Sequence, residues 1–151
     1  MSDSPQPLLW DTYAETIIVR PEPPSVLVGP DALNDWPFPD PCHVITAWNP
    51  DSLLTSADDN REANVRLEAT IIRHGGTVEP VVGRSSDNTW SEESFLVVGL
   101  SREQAVDIGR SFGQLAIFEL DRHSVHVVRC DAGTVERTRP RIHEATTTAE
   151  Q

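Results

Sequence analysis

The sequence predicts an α+β domain built on a ferredoxin-like core, a split βαβ arrangement whose strands stand in the order 4-1-3-2. Three observations lead to it. Between residues 43 and 120 the apolar pattern runs strand, helix, strand, strand, helix, strand, with period-two and β-branched segments alternating with stretches of helical period. Both helical stretches carry start and stop residues, Ser56 or Asp58 and then Gly75-Gly76 for the first, Ser101 and then Gly113 for the second. Right-handed crossovers then make each βαβ pair parallel, with one strand between its members. An N-terminal β-hairpin and a C-terminal hairpin strand are expected as additions to this core.

Taken in order, Leu8-Leu9-Trp10 and Tyr13 have near-helical spacing, and Thr16-Ile17-Ile18-Val19 reads as a strand ended by Pro21-Glu22-Pro23-Pro24. Ser25-Val26-Leu27-Val28 is its hairpin partner, stopped by Gly29-Pro30. Asp31 to Trp36 is expected as a short helical turn before Pro37, Pro39 and Pro41. His43 to Trp48 is strand one of the core, ended by Asn49-Pro50 because a residue preceding proline is pushed out of helical geometry. The first core helix runs to His74 with Leu67 and Ile71 inward. Val78 to Val82 and the wholly apolar Phe95 to Leu100 follow as strands. The second helix turns Ala105, Ile108 and Phe112 inward, and Leu115 to Leu120 pairs with Val125 to Cys130 around Asp121-Arg122-His123. Residues 1–7 are expected to be a disordered tail, 8–135 a single domain, and 136–151 a second disordered tail.

Composition narrows the function classes. The chain has 151 residues, 24 acidic against 12 basic, a net charge of −12 and a pI near 4.6. Such a surface repels phosphate backbones, which disfavours nucleic acid as a partner. No stretch approaches the roughly 18 apolar residues of a membrane span, and Met1-Ser2-Asp3-Ser4-Pro5 lacks the start of a signal peptide, so a cytoplasmic protein without membrane contact is expected. Cys42 and Cys130 have no zinc-type spacing and fall at opposite ends of the expected core, which argues against a disulfide. The five histidines likewise show no metal spacing, and no cofactor motif occurs.

The distinctive polar residues fall just outside regular elements, in Trp48-Asn49-Pro50, Asp59-Asn60, Gly83-Arg84, Glu93-Ser94-Phe95 and Phe112-Gly113-Gln114. The expected topology gathers them at one sheet edge. Asn49 either presents its amide to a pocket or bonds nearby backbone in a turn. Asn60, with Asn64 on the same helical face, either faces that edge or caps the helix. Arg84 is the anion-binding candidate, since guanidinium offers two parallel donors, unless it pairs with Glu92, Glu93 or Asp87 on the surface. Glu93 with Ser94 is the weak candidate for catalysis, because no histidine is placed to complete a relay. Gly113 and Phe112 have structural explanations, which leaves Gln114 as the functional candidate. Trp48 and Trp90 flank the edge, where they can stack on a flat ligand or close the core. Arg137, Arg139 and Arg141 make a small basic cluster that can touch an acidic partner.

Thr46-Ala47-Trp48-Asn49-Pro50-Asp51-Ser52, Asp59-Asn60, Trp90 to Leu100 and Gly109 to Ile117 together resemble the family called domain of unknown function 3293, over roughly residues 8 to 120. Gln114 is usually followed by asparagine in that family, whereas Leu115 stands here. The resemblance implies a single domain with a shared site and brings no activity with it. From the residues, the expected function is a non-catalytic binding or regulatory module in which Asn49, Asn60, Arg84, Ser94 and Gln114 take a small anion or a peptide. Its rivals are a small hydrolase or transferase using Glu93 and Arg84, and a protein-interaction domain docking through its sheet.

Overall fold

One continuous eight-stranded sheet, not a four-stranded ferredoxin-like core, organises the chain. The computed structural model describes residues 7–50 and 53–143. Its elements are α1 (Pro7–Ala14), β1 (Ile17–Pro21), β2 (Pro24–Val28), β3 (Cys42–Ile45), α2 (Ala57–Arg73), β4 (Thr77–Arg84), β5 (Ser91–Val98), α3 (Arg102–Ser111), β6 (Ala116–Leu120), β7 (Ser124–Arg129) and β8 (Val135–Pro140). The strand order is β2-β1-β4-β5-β3-β6-β7-β8, and every adjacent pair is antiparallel.

The strands β6-β3-β5-β4 stand mid-sheet, in the neighbour order worked out above, but the fold class does not follow from them. In a ferredoxin-like core β4 and β6 are edges. Here β1 pairs along β4 and β7 along β6, so both are interior, and the hairpins β1-β2 and β7-β8 are parts of the sheet itself. The sheet then curls into a half-barrel. Gly29, just past β2, donates to the Arg141 carbonyl at 3.0 Å and accepts from the His143 amide at 3.3 Å, which brings the two ends of the sheet together.

The C-terminal boundary moves accordingly. Residues 136–140 belong to β8, and Arg141 is 1% exposed. Its Nη1 donates to the Leu27 carbonyl at 3.0 Å, its Nε to the Arg122 carbonyl at 2.9 Å, and its guanidinium lies 4.5 Å from the Trp36 ring centroid. The expected helical turn over 31–36 does not form: Asp31 takes a positive φ of 62°, outside helical geometry, and the Leu33 amide donates to the Val26 carbonyl at 2.9 Å. Instead this stretch carries Trp36 into the core. Residues 1–6 and 144–151, most of the two expected tails, lie outside the described residues.

Two layers cover the sheet. On its outer face Leu67 and Ile71 of α2 and Ala105 and Ile108 of α3 pack against Ile45, Val97, Ile117 and Val128. On the other, Leu27 and Val125 come from opposite ends of the sheet yet share one cluster with Val44, Val81, Leu96, Leu120 and Trp36, so this face is the inside of the curl. Trp10 of α1 closes the same face over Ala116 and Val127. Cys42 belongs to the inner cluster and Cys130 to the outer one, and both thiols are free and buried.

Caps fix the two longer helices. The Ser56 hydroxyl accepts from Asp59 N at 3.1 Å, and Ser101 with Gln104 forms a reciprocal capping box. A buried ionic chain pins α3 down: Arg102 donates through Nε and Nη2 to both oxygens of Glu119, which in turn meets His43 Nε2 at 3.0 Å. The Arg102 guanidinium holds the Glu119 carboxyl down to about 2, while burial pushes the His43 imidazole below its ordinary value. Gly109 lets α3 lie close on β6, since a Cβ there would sit 2.6 Å from Ile117 Cγ2. Gly109→Ala is therefore expected to destabilise the fold by about 1–3 kcal/mol despite alanine's better helix propensity, measured by denaturant unfolding. A neutral or stabilising result would show that α3 can lift off β6 without loss.

Candidate ligand-binding cavity

Side-chain size along the inner face decides where the curl is full and where it is open. Toward one end the inward residues of neighbouring strands are Val81, Leu96, Cys42 and Leu120, which interlock. Toward the other they become Gly83, Ser94 and Thr46, small residues that leave space beneath α1 beside the Trp10–Ala116 contact. The space left is a cavity of about 230 Å³. Leu9, Thr12 and Tyr13 of α1 form one wall, and Trp48, Asn49, Trp90 and Gln114 the rim.

Among the described residues the only carboxylate in this lining is Glu92. It stands on β5 two residues before Ser94, on the same face, and its register partner on β4 is Gly83, which has no side chain to oppose it. Burial pushes the carboxyl up to about 7, against a smaller opposing effect of hydrogen bonding to the Asn49 side chain. Arginine, lysine and histidine are absent from the lining.

The rim loop is held by asparagines of α2. Asn49 adopts a positive φ of 49°; its amide N–H donates to Asn60 Oδ1 at 2.8 Å, and its own Oδ1 accepts from Thr55 N at 3.0 Å and Asn60 Nδ2 at 3.1 Å. Asn60 Nδ2 also reaches the Thr55 carbonyl. One turn further on, Asn64 Oδ1 accepts from Ala47 N at 2.8 Å and its Nδ2 donates to the Glu93 carbonyl at 2.9 Å. Asn60 and Asn64 thus tie the loop to α2 and β5 and do not line the cavity, whereas Asn49 does.

Gln114 is placed by the end of α3. Gly113, with φ 79°, donates to Arg110 O, and Gln114 N donates to Gly109 O, a Schellman closure that reverses the chain toward β6. The Gln114 side chain then lies on the rim with Nε2 donating to the Trp48 carbonyl at 3.2 Å. Ser94, 6% exposed, also lines the cavity, its hydroxyl donating to the Glu92 carbonyl at 3.2 Å.

Arg84 and Glu93 are elsewhere. Each is one residue away from an inward-facing position and so points to the opposite face of its strand. Arg84 Nη1 donates to its neighbour's carbonyl, Ser85 O, and the exposed Glu93 carboxylate lies 3.7 Å from Arg61 Nε. The expected cluster of five therefore divides. Asn49, Ser94 and Gln114 come together with Trp48 and Trp90, Asn60 stands behind them, and Arg84 faces away. Glu92, read from the sequence only as a surface partner for Arg84, lines the cavity instead, as strict alternation from Ser94 requires. Tyr13 carried no motif to mark it. Among the described residues no three His, Cys, Asp or Glu side chains are grouped as metal ligands, and no helix is long and apolar enough to cross a membrane.

Residues 45–117 match the model of a family described as a protein of unknown function, DUF3293. This segment of the chain matches that family. The DUF3293 segment runs from the end of β3 into β6, and so supplies Asn49, Glu92, Ser94 and Gln114 together with the Asn60 and Asn64 braces, while α1 and the flanking hairpins lie outside it. No curated protein and no solved structure matches the chain.

Proposed function

We propose that the domain is a non-catalytic binding or regulatory module that takes a small organic molecule into the cavity beneath α1. The observation that carries this reading is the convergence of a half-buried carboxyl, three side-chain amide or hydroxyl groups (Asn49, Gln114 and Ser94) and two tryptophans on one cavity in the concave face of the sheet. The anion expected from Arg84 finds no support there, since the guanidinium is on the other face and the cavity's ionisable group is an acid. A docking role for the sheet faces has little to rest on, because α2 and α3 cover one and α1 with the Trp36 segment covers the other.

An enzymatic reading draws on Glu92, whose carboxyl is tuned to the range useful for general acid–base chemistry. It lacks a nucleophile: the Ser94 hydroxyl hydrogen is engaged by a backbone carbonyl, and no histidine lines the cavity.

The test is a ligand-observed NMR screen of neutral, cationic and anionic fragments against wild type and Ser94→Leu, which fills the cavity from β5. Wild type is expected to bind a subset that Ser94→Leu, with near-UV circular dichroism unchanged, does not. An empty screen, or binding that survives the filled cavity, would overturn the reading.

A further inference from the structure

We propose that the cavity's ligand is a single-ring organic cation or N–H donor, of aromatic amidine or aminated heterocycle type, whose nitrogen is received by the Glu92 carboxylate. This rests on the cavity being a ligand site and adds the chemistry of what it takes.

The Ser94 hydroxyl gives its hydrogen to the Glu92 carbonyl, and the Thr46 hydroxyl gives its own to the Glu93 carbonyl at 2.7 Å. Gln114 Nε2 donates to the carbonyls of Trp48 and Phe112. Asn49 has its Oδ1 occupied by Thr55 and Asn60, and its remaining amide hydrogens lie toward Glu92. The Ser94 and Thr46 hydroxyls and the Gln114 amide have thus given hydrogens to the protein, and the charged group that the described lining offers a ligand is the Glu92 carboxylate. A carboxylate or phosphate ligand would meet acceptors and no cation; an amidinium or a ring amine would meet its complement.

Shape agrees. Trp48, Trp90 and Tyr13 bring aromatic surface, which suits a flat cation. The volume of about 230 Å³ exceeds the roughly 150 Å³ that admits benzene and falls short of the roughly 300 Å³ at which drug-sized pockets begin, which points to one substituted ring. Among the described residues that line the cavity with Glu92, Tyr13 of α1 is the other titratable group. Proton uptake at this site is thus governed by Glu92 across the neutral range.

Benzamidine, benzamide and benzoate share one shape and differ in charge. Titrated calorimetrically into wild type at pH 8, benzamidine is expected to bind saturably and at least tenfold more tightly than the other two. Its affinity should rise about tenfold from pH 6 to pH 8 as Glu92, with its carboxyl near 7, ionises. Glu92→Gln is expected to abolish both the preference and the pH dependence. Benzoate binding as tightly as benzamidine, or a benzamidine preference intact in Glu92→Gln, would overturn the proposal. Cavity binding of benzamide or benzoate alone, lost in Ser94→Leu, would overturn it while leaving the binding-module reading standing. No binding by these probes would overturn it too, and the wider fragment screen then decides separately whether the cavity is a ligand site at all.

Discussion

Arg141→Ala is expected to lower the unfolding free energy by about 3 kcal/mol, a large part of the stability of a domain this size. The side chain is fully buried and performs three tasks at once. It satisfies the Leu27 carbonyl at the end of β2, satisfies the Arg122 carbonyl in the turn between β6 and β7, and stacks on Trp36. Alanine removes the donor from both carbonyls and opens space beside the indole; the Leu27 carbonyl is left in a buried place, where an orphaned acceptor costs about 1–3 kcal/mol, while the Arg122 carbonyl stands in an exposed turn where water can replace the guanidinium. Burial already pushes the guanidinium below its ordinary value, with Asp121 and Asp40 opposing that shift, so the cation is costly to bury and is retained for what it joins. Removing residues 136–151 takes away β8 as well and is expected to abolish cooperative unfolding. The measurements are urea denaturation of the point variant and of the truncated chain. A loss under about 1 kcal/mol in Arg141→Ala, or a two-state transition in the truncated chain, would show that the half-barrel closes without this clamp.

The same region shows where the sequence was readable and where it was not. The α2 and α3 boundaries were legible because Ser56, Ser101, Gly75 and Gly113 act through local geometry, within a few residues of themselves. The mid-sheet strand order followed from handedness. Fold class did not: the β6-β7 hairpin was legible in its turn, but the class depends on β1 lying along β4, a long-range pairing with no local signature, and on β8 adding to β7. Val135-Glu136-Arg137-Thr138-Arg139-Pro140 has the composition of a tail, yet it is an edge strand, and polar residues are what an edge strand shows to water. Its arginines are anchored at a distance, Arg137 on Asp11 and Arg139 on the Ala14 carbonyl. In the site, the loop residues Asn49 and Gln114 were found because turn chemistry marks them. Arg84 and Glu93 were chosen for their chemistry, but the pleat decides which residue faces inward, and a neighbour in sequence is on the wrong side.

Glu92→Gln is expected to stabilise the protein at pH 8 and to leave it nearly unchanged at pH 4. The sign follows from linkage. With its carboxyl at about 7 in the fold and at the ordinary 4.5 when exposed, Glu92 binds its proton more tightly in the native state. Its favourable contribution is fully present below pH 4.5 and is lost as pH rises through 7. Above that, ionisation in the cavity opposes folding by about 3 kcal/mol at most, and less in practice because the side chain is only partly buried. Glutamine keeps the shape and the hydrogen bonding toward Asn49 without the charge, so a gain of about 2 kcal/mol at pH 8, shrinking to zero near pH 4, is the expected result from unfolding curves at both pH values. Curves for the two proteins that run parallel from pH 4 to pH 8 would place the carboxylate in water and remove Glu92 from the site. Glu92 thus costs stability at neutral pH where it stands, opposite Gly83 at the open end of the curl, and the proposed cation would neutralise it there. The cost should therefore fall when a cation occupies the cavity, with benzamidine raising the melting point of wild type more than that of Glu92→Gln.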